Sequence, residues 1–300
     1  MEPLPPPQLP GEGARRPGPA TLEELCAVVS TPEPWCVNLI LRHIGGGKAT
    51  LRDLESIESQ PDATALSVSG LDQKMFETLV SRYGSRFDAI SFWKCPRIAD
   101  LTPLEDLPQL RLVVFFWNQL TTRLWDFRRT PNLAGLYFED FRRLRGLGDL
   151  EAATSLEALR FGDAIWTRSV FESLAPLEPL VSLRRLFFSV RRIEDARIQP
   201  LASLRQLEQL WFPTNLFTTP QLAWLRARLP ESVVSNVLGP LIRLGEHAVG
   251  EGDERRDVLV VGKRKPFLNS DADGPRIRGY VVEFERLVQT FRDNPGAQPD

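Results

Sequence analysis

The sequence predicts an α/β solenoid, with parallel strands on a concave side and 3₁₀ turns or short helices on the convex side. Three observations carry this. A short run of the form apolar-x-x-apolar-x-apolar recurs seven times between Ala63 and Phe212. The spacing of the runs is nearly constant, which is the mark of stacked repeats rather than of one irregular domain. Between runs the apolar residues step by threes, as in Ile98, Leu101, Leu104, Leu107, then Leu144, Leu147, Leu150, then Leu174, Leu177, Leu180. A step of three suits 3₁₀ turns better than a full α-helix.

The runs are Ala63-x-x-Leu66-x-Val68, Phe87-x-x-Ile90-x-Phe92, Leu110-x-x-Val113-x-Phe115, Leu133-x-x-Leu136-x-Phe138, Leu156-x-x-Leu159-x-Phe161, Leu183-x-x-Leu186-x-Phe188 and Leu207-x-x-Leu210-x-Phe212. Their last apolar positions, 68, 92, 115, 138, 161, 188 and 212, differ successively by 24, 23, 23, 23, 27 and 24. Equivalent positions of parallel repeats superpose, so the phenylalanines from Phe92 to Phe212 should form a continuous inner stack. Three residues beyond each run the pattern favours Asn or Cys, whose side chain can satisfy backbone groups where the chain leaves the strand. The sequence has Leu71, Cys95, Asn118, Phe141, Ala164, Arg191 and Asn215 there, so only Cys95, Asn118 and Asn215 obey.

These residues resemble a leucine-rich-repeat protein of the short-repeat, bacterial type, over roughly residues 63 to 240. The likeness is to the superfamily and to no single member. It implies a curved right-handed solenoid, a parallel concave sheet and the binding of proteins. The sparse Asn ladder departs from the pattern and bears on the regularity of the curvature.

The flanks read differently. Residues 1–20 hold seven prolines and three glycines with little to bury, which predicts a disordered leader. Residues 21–62 predict a helical N-terminal cap. Leu22, Leu25, Cys26 and Val29 share one face, Ser30 to Glu33 has capping-box spacing, and Val37, Ile40, Leu41 and Ile44 mark a second helix ended by Gly45-Gly46-Gly47. The repeats occupy 63–240. Residues 241–300 predict a small α+β C-terminal capping module. In it Val258 to Val261 form a strand, Lys263-Arg264-Lys265 a basic turn, and a helix from Pro275 carries Ile277, Tyr280, Val281, Phe284, Leu287, Val288 and Phe291 on one face.

Composition narrows the function. The hydrophobic share is 42% and the charged share 25%, as in soluble globular chains. The net charge of −2 supplies no global field to gather nucleic acid or an anionic membrane, so neither is an expected partner. The opening MEPLPPPQLPGEGARR lacks the apolar stretch of a signal peptide, the cysteines number three, and no run reaches the roughly 18 apolar residues of a membrane span. A cytoplasmic location is the expectation.

Catalytic and cofactor motifs are weak. Gly45 to Thr50 lacks both the first glycine and the Ser or Thr after lysine that a phosphate-binding loop requires, and it follows an expected helix. Neither His43 nor His247 has a partner motif, and Cys26, Cys36 and Cys95 show no C-x-x-C spacing. No catalytic residue, metal, cofactor or small-molecule substrate is expected. Arg255-Arg256 and Lys263-Arg264-Lys265 have no interleaved aromatics to stack bases and read as a solvated hairpin.

The functional signal is aromatic. Side chains alternate along a strand, so residues between and after the inward positions face the concave side. The between-positions read Ser67, Ser91, Val114, Tyr137, Arg160, Phe187 and Trp211, and the next outward positions include Trp93, Phe116 and Glu139, with Trp117 one further on. Trp93, Phe116, Trp117 and Tyr137 predict one aromatic patch rimmed by Lys94, Glu139, Asp140, Arg160 and Asp163, with Phe187 and Trp211 extending it. An aromatic centre with a charged rim is interface anatomy. The expected function is a non-enzymatic module, scaffold or inhibitor, that binds a partner protein through the concave face. Alternatives are a regulatory subunit of a partner enzyme and, more remotely, a hydrolase using the acidic cluster. The competing reading of the patch is that its rings are covered within the chain.

Overall fold

The computed structural model describes residues 36–40, 47–164, 168–250 and 255–299. All seven runs are parallel strands of one sheet. It consists of β1 (Cys36–Leu39), β2 (Ala65–Ser69), β3 (Ala89–Trp93), β4 (Leu112–Asn118), β5 (Gly135–Phe141), β6 (Ala158–Gly162), β8 (Arg185–Ser189), β10 (Gln209–Trp211) and β11 (Val234–Ser235). Register follows the repeat: Ile90 pairs with Val113, Val113 with Leu136, and Leu136 with Leu159. β7 (Val170–Phe171), in the longest repeat, and β9 (Arg192–Ile193), in the repeat after it, form a separate parallel pair.

The sheet starts one repeat earlier than the sequence pattern suggests. Val37 lies in a strand, where the three- and four-residue apolar spacing predicts a helix. Four residues of mixed apolar pattern do not distinguish the two states, and pairing decided the matter. Val37 sits beside Leu66 in register, and both are buried. The leader, the first expected helix and residues 41–46 of the second lie outside the described residues.

The convex connections are mostly 3₁₀, at Thr102–Asp106, Phe127–Arg129, Gly148–Ala152, Ala175–Leu177 and Gln199–Ser203. Two connections before these differ. One is short, α1 (Leu51–Glu55), opened by a Thr50 capping box. The other is an eleven-residue helix, α2 (Gln73–Tyr83), N-capped by Asp72 and burying Phe76, Leu79, Val80 and Tyr83. Those four residues follow the helical period, and a step-of-three reading of the connections passes over them.

Phe92, Phe138, Phe161 and Phe188 are fully buried between sheet and convex turns. Phe92 stacks on Phe115 at 4.5 Å, Phe138 on Phe161 at 5.6 Å, Phe161 on Phe188 at 5.2 Å and Phe188 on Phe212 at 4.9 Å. The expected stack is interrupted once. Phe141 meets Phe115 and Phe138 edge-on, each at 5.7 Å, and links the two halves. Each ring pair adds about 0.5–1.5 kcal/mol beyond the area it buries.

One rung of the polar ladder is complete. Asn118 donates through Nδ2 to the Ile98 carbonyl at 2.8 Å and accepts at Oδ1 from the Leu120 and Thr121 amides at 3.0 and 2.9 Å. Asn215, expected to serve likewise, is exposed. Asn236 takes its place, its Nδ2 donating to the Phe212 carbonyl at 2.9 Å.

Beyond the repeats, α3 (Thr219–Arg228) packs against α4 (Gly274–Asp293), whose Phe284, Val288 and Phe291 join the main core. Trp224 Nε1 donates to the Ala297 carbonyl at 2.9 Å, and Arg228 Nη1 to that of Phe291 at 2.9 Å. An antiparallel sheet of β12 (Leu241–Arg243), β13 (Val258–Val260) and β14 (Phe267–Leu268) completes this end. Among the described residues no helix is long and apolar enough to cross a membrane.

Candidate protein-binding site

The site is set by a backbone device at the ends of β3, β4 and β5. Simple alternation would place Phe92 inward, Trp93 outward, Lys94 inward and Cys95 outward. Instead Lys94, Trp117 and Asp140 adopt left-handed conformations, with φ of 50°, 64° and 57°. Each such residue shifts the phase of its strand. Cys95, Asn118 and Phe141 turn into the core, and the two residues before each of them stay outside. Gly70 holds the equivalent place after β2, with φ of 71°. An L-residue in this conformation costs about 1–2 kcal/mol, and a bulky one such as Trp adopts it rarely. The strain is held by hydrogen bonds between turns: Gly70 N–H donates to the Lys94 carbonyl at 3.2 Å, and Lys94 N–H to that of Phe116 at 2.8 Å.

This geometry makes a ridge two residues wide. Trp93, 36% exposed, stacks on Phe116 at 4.3 Å. The Lys94 ammonium lies over both Trp93 and Trp117, 5.8 and 5.6 Å from the ring centroids. A cation held over two indole faces is attracted by both quadrupoles and fixes the rings relative to each other. Phe116, Trp117 and Phe141 form the apolar wall of a cavity of about 680 Å³ whose polar wall carries Lys94, Asp140, Arg142, Arg145, Asp163, Arg168 and Ser169.

The two carboxylates of the cavity are occupied from within. Asp163 is buried and accepts from the Arg168 and Ser169 amides at 2.5 and 2.7 Å and from the Ser169 hydroxyl at 2.6 Å. It is a loop anchor, where the sequence pattern suggests a rim charge. Asp140 accepts from the Ala164 amide at 3.2 Å. Burial raises its carboxyl above the ordinary range, against that hydrogen bond and with a contribution from Asp163.

The expected patch divides into three. Trp93, Lys94, Phe116, Trp117, Asp140 and Asp163 gather on the ridge and its cavity. Glu139, Arg160, Phe187 and Trp211 belong to a neighbouring group, in which Arg160 Nε bonds Glu139 Oε1 at 2.7 Å and its guanidinium lies 4.6 Å from the Phe187 centroid. Burial raises the Glu139 carboxyl, and Arg160 works against that. Phe187 pairs with Trp211 on the next strand, and both are half-buried.

Tyr137 corrects the expectation. It is 3% exposed and belongs to a second apolar cluster with Cys36, Ala65, Ala89, Leu112, Val114 and Ala158, on the sheet face opposite the main core. These are the between-positions and those two residues earlier. Across β2 to β5 the middle of the outward face is therefore interior, and the accessible aromatics lie at the strand ends.

Sequence reasoning missed Phe141, Arg142, Arg145, Arg168 and Ser169. A signal existed: Arg145 and Arg168 stand 23 residues apart, one repeat period, and therefore align along the same edge. Among the described residues no group of three potential metal ligands gathers. Burial pushes the Cys36 and Cys95 thiols up to about 12, so both are protonated and unreactive at neutral pH.

No family model matches the sequence, and no curated protein matches it. Solved structures do. Internalin C2 of Listeria monocytogenes is 19% identical, with 63% of this chain and 84% of that one covered at a TM-score of 0.34. A second internalin of the same organism is 16% identical over 73% of this chain and 69% of that one, also at 0.34. The periodic runs, the in-register parallel sheet and the 3₁₀ crossovers make the fold of this chain a leucine-rich-repeat solenoid.

Proposed function

We propose that this chain is a non-enzymatic binding module, acting as a scaffold or inhibitor, that recognises a partner protein at the ridge formed by Trp93, Lys94, Phe116 and Trp117. The observation that carries this is the left-handed conformation of Lys94 and Trp117. Unrewarded strain in a packed repeat is readily relieved by glycine, as at Gly70, and strained residues concentrate where a surface has work to do. Here the strain holds a lysine and an indole outward, beside a half-exposed tryptophan. Aromatic anchors beside charge are the residues on which protein interfaces most depend. The surface lies on the concave edge, displaced from the middle of the sheet to the ends of the third, fourth and fifth strands. A cytoplasmic setting accords with the two buried free thiols, Cys36 and Cys95.

Affinity capture from the native cell tests this, with wild type and Trp117→Ala compared as baits of matched thermal stability. A protein retained by wild type and lost by the variant is the expected result. Identical capture profiles from the two baits would remove the ridge from the function.

A further inference from the structure

The cavity beside the ridge has an imbalance of partners that points to its ligand. Its carboxylates have donors of their own: Asp163 holds the Arg168 and Ser169 amides, and Asp140 the Ala164 amide. Its cations are less well served. Lys94 has only ring faces, the Arg145 guanidinium reaches a single carbonyl, that of Val170, at 3.4 Å, and Arg142 is exposed. None of these three makes an ion pair among the described residues. They surround one opening of about 680 Å³ whose other wall is Phe116, Trp117 and Phe141.

Resting on the reading of the ridge as a protein-binding surface, we infer that the cavity takes an acidic peptide segment, with a carboxylate at Arg142 and Arg145 and an adjacent apolar side chain against Trp117 and Phe141. The chemistry suits this ligand. A guanidinium offers a planar fork that matches a carboxylate in two parallel hydrogen bonds, and two such groups beside an aromatic wall select charge and apolarity together. Asp163, buried and bonded to the loop that it anchors, and Asp140, bonded to the Ala164 amide, attract a cationic ligand only weakly, and their negative charge keeps the cavity from being a general anion trap. Volume agrees as well: about 680 Å³ lies within the roughly 300–1,000 Å³ of pockets that enclose a ligand of limited size, which a short segment can enter and a folded surface cannot.

Selection from a random dodecapeptide library on the full chain tests the inference. The expected outcome is enrichment of Asp or Glu next to an aromatic or aliphatic residue. Peptides so selected should bind Arg142→Gln/Arg145→Gln at least about tenfold more weakly, and Arg142→Glu/Arg145→Glu should select Lys- or Arg-containing peptides instead. Added inorganic phosphate should not displace the acidic peptides at concentrations that leave ionic strength unchanged. Displacement there would make phosphate the ligand group and overturn the carboxylate assignment. Neutral peptides that bind the double Gln variant as well as wild type, but are lost by Trp117→Ala, would overturn the acidic ligand and leave the ridge reading standing. No enrichment on wild type would overturn the acidic-segment inference alone, since the ridge reading is decided by partner capture with Trp117→Ala. Both arginines point away from the core, so thermal melts of the charge variants serve as the folding control.

Discussion

Two rows of residues run along this solenoid only two positions apart, and they obey different rules. The inner row, Phe92, Phe115, Phe138, Phe161 and Phe188, repeats one residue type in relaxed strand geometry, and every member is at most 2% exposed. The ridge row, Lys94, Trp117 and Asp140, repeats a strained conformation with three unrelated side chains. In the inner row the environment is the same at each step, so the same side chain solves it each time. In the ridge row the backbone turn is shared while the side chains face outward, where stacking of repeats imposes no identity. Uniform residues mark what the fold needs, and variable residues on a shared strained backbone mark what it can present.

The comparison breaks first at its inner member. Phe138→Ala should cost about 3–5 kcal/mol, since it opens a cavity beneath Phe141 and Phe161 that rigid neighbours cannot fill. Denaturant titration measures this. A loss under about 1 kcal/mol would mean that the inner row does not set stability.

Trp117→Ala should do the reverse. Partner capture should weaken by roughly thirtyfold, or about 2 kcal/mol, with far less change in unfolding free energy. If binding fell only in step with the folded fraction, the indole would belong with the inner row.

Strain itself is accessible by comparing two variants that both lack the indole. Trp117→Gly should be more stable than Trp117→Ala by about 1 kcal/mol, because glycine adopts a φ of 64° without the steric penalty that alanine retains. Equal stabilities would show that the neighbouring turns do not enforce the left-handed geometry.

The smallest effect concerns Asp140 and pH. Burial holds its carboxyl above the ordinary range, so the folded state keeps this proton to higher pH than the unfolded chain does. Its stabilising contribution is therefore full below the unfolded value of about 4 and is lost as pH rises through the folded one. Asp140→Asn retains an oxygen that can accept from the Ala164 amide, and it tolerates the left-handed turn. The variant should melt higher than wild type near neutral pH, with the gap closing toward pH 4. A gap that widened on acidification would reverse the assignment.

Reading the sequence located seven of the nine strands of the main sheet, because a repeat multiplies a weak local signal and a period of 23 or 24 residues leaves few registers open. The same reading named Trp93, Lys94, Phe116 and Trp117. It failed where one residue decides a direction. Strict alternation sends Tyr137 to a free concave surface, but in the fold Tyr137 joins Val114 and Leu112 in an interior cluster. Likewise Val37 reads as helical until β2 offers it a pairing edge.

By itself the sequence determined the period and the inward phenylalanines, since these follow from residue type and spacing along the chain. Only the tertiary structure decided which outward residues stay outward. That depends on the left-handed turns at Lys94, Trp117 and Asp140, and on arginines from successive repeats, Arg145 and Arg168, meeting at one edge. Lys, Trp and Asp carry no local signal for a left-handed turn, which the stacked neighbours impose, and contacts between repeats form only after stacking, so neither is written in local pattern.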